Sequence, residues 1–275
     1  GEACTKEELA RFLKPLSNIK AVFATYNETS TGILNPVWQL AEAVQEHSDA
    51  LFIVDGVSGI GGVPAEMDKW GIDILVTGSQ KAMMLPPGLA LLAVSEKAWK
   101  VIEANGSPAY YLNLISYREW ADKGMTPNTP AVSLIMGLSA VCDLIEEEGG
   151  FSKTVERHDV MKNMVRESMR ALSIELLTND DFASPTITTI RTPEGLDLAA
   201  YLGHLKKKYH LDFAGGLNHL QGKVFRFGHM GYCFPSDVLE AVSLMEAGLQ
   251  DFSYPFEPGA GVQAAQNVYL SSLRK

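Results

Sequence analysis

Ile72-Asp73-Ile74-Leu75-Val76-Thr77-Gly78-Ser79-Gln80-Lys81-Ala82 is the stretch that decides the fold. It opens as an apolar, β-branched run of strand length and ends in a Gly-Ser turn that delivers a lysine. Upstream, Leu51-Phe52-Ile53-Val54-Asp55 has the same form, but an acid closes it and the glycine-rich loop Gly56-Val57-Ser58-Gly59-Ile60-Gly61-Gly62 follows. Runs this apolar are expected where both faces of a sheet are covered. Residues 19–25 and 88–94 read as two further strands, and a polar loop occupies residues 26–32. Helix signals fall between them. Asn35-Pro36 reads as an N-cap and first helical residue, with Trp38, Ala41 and Val44 on one face toward a sheet. Ser95-Glu96-Lys97-Ala98-Trp99 opens another helix. The alternation predicts an α/β fold with a mostly parallel sheet and helices on both faces. Ligands of such sheets bind at the carboxyl ends of the strands, where Asp55, Lys81 and the loop of Asn27 to Thr31 all fall.

Past residue 150 the pattern changes. Residues 155–172 form an amphipathic run with Val160, Met161, Met164, Val165 and Met169 on its apolar side, the signature of a packed helix. Strand-like segments at 173–177, 186–191 and 224–227 alternate with helices at 196–209 and 235–249. The expected division is a large domain over residues 1–150 and a smaller α+β domain over residues 151–275.

Composition narrows the function. The 275 residues are 46% hydrophobic and 20% charged, enough for a full core. A net charge of −10 argues against nucleic acid and anionic membrane as partners. Apolar runs such as residues 86–94 are too short to span a bilayer, and no basic-then-apolar leader opens the chain. Cys4, Cys142 and Cys233 are odd in number and widely spaced, so neither a metal site nor a disulfide framework is expected; the expected compartment is the cytoplasm. Gly59-Ile60-Gly61-Gly62 does not make the dinucleotide-binding GxGxxG.

Asp55 and Lys81 together suggest chemistry. Taken alone, Asp55 reads as a cap of the loop that follows it, and Lys81 as a surface lysine. As a pair one β-loop-α-β step apart, they are what a pyridoxal 5′-phosphate enzyme needs: a lysine to form a Schiff base with the cofactor aldehyde, and an acid to face the pyridine nitrogen.

The wider text carries a resemblance. Asn27-Glu28-Thr29-Ser30-Thr31-Gly32 with Asn35-Pro36, Val54-Asp55-Gly56-Val57-Ser58 with Gly61-Gly62, Trp70-Gly71-Ile72-Asp73, Thr77-Gly78-Ser79-Gln80-Lys81-Ala82, Pro86-Pro87-Gly88 and Phe225-Arg226-Phe227-Gly228-His229-Met230-Gly231 follow one another in a known order. The sequence resembles the class V, fold-type I pyridoxal phosphate aminotransferases, closest to the alanine–glyoxylate and serine–pyruvate group. The resemblance implies a transaminase moving an amino group from alanine or serine to glyoxylate or pyruvate, with ping-pong kinetics. Lys81 would be the Schiff-base lysine and proton shuttle, and Asp55 the partner of the pyridine nitrogen. Thr29 would bond the ring oxygen, Val57 pack on the ring, and Gln80 contact the phosphate. Arg226 would grip the substrate carboxylate, a task suited to a bidentate guanidinium; without the resemblance it reads as a salt-bridged strand arginine. Thr126 or Thr129 would reach a partner subunit's phosphate, which implies a homodimer with shared sites.

The sequence departs from that family at its start. The family's opening section holds the first strands, a glycine-rich phosphate turn at a helix N-terminus and a side chain stacked on the cofactor. Here Gly1-Glu2-Ala3-Cys4 comes shortly before what reads as a mid-sheet strand. The expectation is therefore the larger, C-terminal part of an aminotransferase. Two rivals remain. A cysteine desulfurase-like lyase would need a catalytic thiol; Cys142 reads as core, and Cys233 follows the arginine strand. A non-catalytic binding module would keep the fold without turnover.

Overall fold

The computed structural model describes residues 1–274. The first half runs α1 (Lys6–Leu13), β1 (Ala21–Thr25), the short pair β2 (Asn27–Glu28) and β3 (Ile33–Leu34), α2 (Val37–His47), β4 (Leu51–Asp55), α3 (Met67–Trp70), β5 (Ile74–Gly78), β6 (Ala90–Val94), α4 (Glu96–Asn105), α5 (Leu114–Ala121) and α6 (Val132–Glu148). Four strands form one sheet in the order β1-β4-β5-β6. The first three are parallel, and β6 runs antiparallel to β5. This is the mostly parallel α/β sheet expected.

One face of this sheet is a core. Phe52, Val54 and Leu75 pack with Tyr26, Val37, Leu40, Ala41 and Ile72. Buried Asp73 ties the strand starts together: it accepts the Phe52 N–H (2.9 Å), the Ser95 hydroxyl (2.9 Å) and the Lys97 ammonium (3.1 Å). The other face is open, against expectation. Its cross-strand rows are Thr25–Asp55–Val76–Leu92 and Phe23–Ile53–Ile74–Val94, and Phe23 is 75% exposed.

Two helix details also differ. The N-cap of α2 is Pro36, because the Asn35 amide is engaged elsewhere: it donates to Thr25 O (2.8 Å) and accepts from Cys4 N (3.1 Å). Ala41 and Val44 are buried as expected, but Trp38 lies half out of the core against Trp70, with ring centroids 5.8 Å apart. Ser95 caps α4 as expected, accepting from Ala98 N.

The second half contains α7 (Phe151–Ala171), β7 (Ile187–Arg191), α8 (Leu198–Tyr209), β8 (Ala214–Gly215), β9 (Val224–Gly228), α9 (Pro235–Asp251) and α10 (Ala260–Ser272). An antiparallel sheet of order β7-β9-β8 backs onto these helices. Met161, Met164, Val165 and Met169 of α7 are fully buried with Tyr201, Leu205, Phe225, Val242 and Met245. The strand expected at 173–177 reduces to a single bridge, Leu176 to Ile190; Ser173, at φ +57°, turns the chain there.

The β2–β3 pair stitches the halves together. Leu34 N donates to Phe182 O (2.8 Å), Ser184 N to Gly32 O (3.0 Å), and the Thr178 hydroxyl to Thr31 O (2.7 Å). A loop early in the chain is thus fixed by residues about 150 positions later, next to β7 and β9.

Candidate active site

Asp55 ends β4 beside Thr25 of β1 and Val76 of β5. Its Oδ1 accepts the Val57 N–H (2.9 Å), so the loop-capping role is real. That bond uses one oxygen, and no cation pairs with the carboxylate among the described residues. The acid is exposed rather than buried because it stands on the open face. With Phe23, Thr25, Ile53, Val57 and Val76 it lines a cleft of about 400 Å³.

Lys81 follows β5 on a turn that Ser79 holds. The wholly buried Ser79 hydroxyl donates to Pro86 O (2.8 Å) and accepts from Leu89 N (3.1 Å). The Ser79 backbone exchanges further bonds with Leu85 and Leu89. Met84, at φ +59°, closes the turn by donating its N–H to Lys81 O (3.0 Å), a left-handed conformation that costs a non-glycine residue about 1 kcal/mol or more. The half-buried Lys81 side chain has neither hydrogen-bond nor ion-pair partner among the described residues. Gln80 is exposed beside it. A Cβ built on Gly78 would lie 2.9 Å from Gln80 Oε1 and 3.6 Å from Val57 Cγ1, so Gln80 and Val57 flank the same glycine.

Arg226 joins the group from the second half. It sits mid-strand in β9, between Thr189 of β7 and Ala214 of β8. Its Nε donates to Gly215 O (2.9 Å) and its Nη1 to Thr29 O (3.4 Å), across 197 positions of sequence. No carboxylate pairs with it among the described residues, so the salt-bridged reading of Arg226 fails. The Thr29 hydroxyl lies 2.5 Å from Ser58 Oγ, and Ser58 O accepts from the Thr186 hydroxyl (2.6 Å). Arg226, Thr29 and the loop after Asp55 therefore form one continuous polar contact. Ser58 and Ser79 stand within the quoted motifs, but the bonds they make are not legible there, because they depend on contacts made by folding.

Thr126 and Thr129 are not brought into this group. Both are exposed in the loop between α5 and α6, where the Thr126 hydroxyl donates to Asn128 O (2.8 Å). Met125, next to Thr126, is exposed, as are Val132 and Met136 at the start of α6 and Tyr110 and Leu112 ahead of α5. The cysteines also stay apart. Cys142 is exposed on α6 rather than in the core, since only Val141 and Ile145 of that helix are buried. Cys233 is half-buried, and burial raises its thiol to about 11, which keeps it protonated at neutral pH. Among the described residues no cluster of His, Cys, Asp and Glu could hold a metal, and no helix is long and apolar enough to cross a membrane.

Residues 4–208 match the family model for class V aminotransferases. The chain is 40% identical over 272 residues to an uncharacterised aminotransferase of Methanocaldococcus jannaschii, covering 98% of this chain and 70% of that one. The chain belongs to the class V aminotransferases. It is also 34% identical to a serine–glyoxylate aminotransferase of Methylorubrum extorquens, over 97% of this chain and 68% of that one. The fold agrees: the structure of pyridoxamine–pyruvate aminotransferase from Mesorhizobium loti superposes with a TM-score of 0.91 at 31% identity, over 98% of this chain and 69% of that one. This chain thus spans a little over two thirds of each of these relatives. The fold class expected from the sequence is borne out, and the family's cofactor is pyridoxal 5′-phosphate.

The residues present fit that cofactor. A lysine without a counter-ion, an acid with a carboxylate oxygen to spare, a hydroxyl at Thr29 and an amide at Gln80 stand at neighbouring carboxyl ends of strands. Such a donor set complements an aldehyde, a pyridinium nitrogen, a ring oxygen and a phosphate.

Proposed function

We propose that the chain transfers an amino group from a small amino acid, alanine or serine, to glyoxylate or pyruvate. The observation that carries this reading is that Asp55, Lys81 and Arg226 each lack a charged partner among the described residues although they share one end of the fold. Charged groups left without a counter-charge are unfavourable for stability alone and suit charged ligands. When bound, pyridoxal phosphate would supply an aldehyde that accepts the amino group and a ring that withdraws electrons from the donor α-carbon.

The chain's own residues do the rest. Lys81 Nζ would hold the cofactor aldehyde and, when the donor amine takes its place, would move the proton from the donor α-carbon to the former aldehyde carbon. Asp55 keeps the pyridine nitrogen protonated through its free oxygen. Val57 packs on the ring, Thr29 bonds the ring oxygen and Gln80 a phosphate oxygen. Arg226 takes the substrate carboxylate on the guanidinium edge that Gly215 O and Thr29 O leave free, which fixes the α-carbon relative to the lysine. A homodimer fits this arrangement: exposed Met125, Val132 and Met136, in the sequence flanking Thr126 and Thr129, suit an interface through which one of these threonines reaches a partner's phosphate. Three free thiols suit the cytoplasm.

The test is a steady-state panel of alanine, serine and aspartate against glyoxylate and pyruvate, run with added pyridoxal phosphate alongside sedimentation of the protein. The proposal predicts parallel double-reciprocal lines with alanine or serine as the preferred donor, and a dimer. Aspartate as preferred donor would overturn the substrate assignment, and no transfer with any pair would overturn the reaction.

A further inference from the structure

Behind the Lys81 turn, at the start of α7, lie two residues that the proposed reaction does not use. Gly231 N–H donates to His158 Nε2 (3.2 Å), so that nitrogen carries no hydrogen. The ring hydrogen is therefore on Nδ1, which donates to Thr154 O (2.6 Å). His158 is wholly buried, and desolvation lowers its pKa to about 4, so the neutral Nδ1–H form is the one present near neutral pH. Its neighbour Arg157 grips the other side of the same residue, with Nη1 donating to Gly231 O (3.1 Å) and to Cys233 O. Arg157 is itself fixed by a bidentate pair with Glu148 (2.6 and 3.1 Å) and by the Phe234 ring 4.9 Å away.

Gly231 is pressed against the lysine. Its φ is +80°, and a Cβ built on it would lie 3.0 Å from Lys81 O. The adjoining Cδ2 edge of His158 lies against the loop after Asp55, since a Cβ on Gly62 would come within 2.7 Å of His158 Cδ2. A Cβ on Gly61 would come within 2.9 Å of the Ala82 carbonyl. The loop after Asp55 and the segment after the arginine strand thus meet at one imidazole, and each of them also abuts the lysine turn through a glycine backbone.

We infer that Arg157 and His158 clamp the Gly231 backbone and thereby position Lys81. They are positioning residues: neither reaches the cleft, and their effect passes through the Gly231 backbone to the Lys81 carbonyl. The clamp couples the lysine to the second half of the chain, so a shift of α7 relative to β5 moves the reactive amine. This inference rests on Lys81 being that amine.

The test reads Lys81 directly rather than turnover. The chain is treated with pyridoxal phosphate and borohydride, peptides are mapped, and label at Lys81 is expressed relative to that on the other lysines; exchange of the Gly231 amide is followed in parallel. His158→Leu removes the acceptor. It should lower relative Lys81 labelling about tenfold or more, the scale of a displaced reacting group, and speed Gly231 exchange. His158→Gln places an amide oxygen close to where Nε2 stands, and should restore both. Arg157→Met, which keeps the contact with Phe234 but loses the bonds to Gly231 O and Cys233 O, should lower labelling several-fold, and decides the matter alone if the leucine variant does not fold. Equal labelling of the leucine and glutamine variants, or wild-type labelling in Arg157→Met, would overturn the clamp. A wild-type chain with no preference for Lys81 would overturn the proposed function and the clamp with it, whereas a preference that survives in His158→Leu overturns the clamp alone.

Discussion

Replacing Ser79 by alanine should loosen the lysine turn while leaving both cores intact. The hydroxyl makes two bonds, to Pro86 O and from Leu89 N, and Ser79 is wholly buried. Each bond contributes about 1 kcal/mol net, and leaving the Leu89 N–H and Pro86 O unsatisfied adds on the order of another 1 kcal/mol. The sum, about 2–3 kcal/mol, corresponds to roughly a 30- to 150-fold rise in the local opening equilibrium. The backbone bonds of Ser79 to Leu85 and Leu89 remain, so the effect should stay within residues 79–89. Amide exchange resolved by residue is the assay. The Leu89 and Leu85 amides should exchange faster by that factor, the buried amides of Val165 and Met169 should not, and Lys81 labelling by pyridoxal phosphate should fall. Gln80→Ala, an exposed neighbour, serves as the control and should leave exchange unchanged. If Leu89 exchanges at the wild-type rate in Ser79→Ala, the hydroxyl does not hold the turn and the reasoning fails.

Acid should destabilise the fold through its buried histidines. Burial lowers His158 to about 4 and His229 to about 3, below the ordinary 6.5, so the unfolded chain binds more protons than the folded one as pH falls below 6.5. Their contribution is present above pH 6.5 and lost progressively toward pH 4 for His158 and pH 3 for His229, about 2 kcal/mol for each by pH 5; urea midpoints at pH 7 and 5 should show the loss, and His158→Gln should reduce it by about half. Cys233→Ala should keep full transamination activity, since a thiol raised to about 11 is not a nucleophile at neutral pH; loss of activity would revive the desulfurase-like reading. Met164→Ala, at a fully buried position of the second core, should cost about 2–5 kcal/mol of stability by denaturant titration without changing the site of labelling.

The strand ends carrying Asp55 and Lys81 were legible because strand-length apolar runs end in polar turns, and a parallel sheet places such ends side by side. The buried methionine face of α7 was legible from helical spacing alone. Other features depend on partners far off in sequence. Asn35 looked like a cap, yet its amide is drawn to Thr25 O and Cys4 N. Cys142 lies in an apolar run that reads as core, but that side of α6 faces outward. The open face around Phe23 ran against the expectation of a sheet covered on both sides, because no helix of the described residues packs there. Arg226 could be assigned a substrate role only by resemblance; its bond to Thr29 O spans 197 positions and leaves no local trace. The grip of His158 on Gly231 is equally silent, since a histidine on an apolar helix face looks the same whether or not its Nε2 is engaged.

Borohydride trapping of added pyridoxal phosphate, followed by peptide mapping, asks directly whether Lys81 is the reactive amine. One dominant labelled peptide containing Lys81, absent from a folded Lys81→Arg variant, is the predicted result. Label spread over exposed lysines, or an equal yield from the Lys81→Arg variant, would contradict the assignment of Lys81 as the reactive amine.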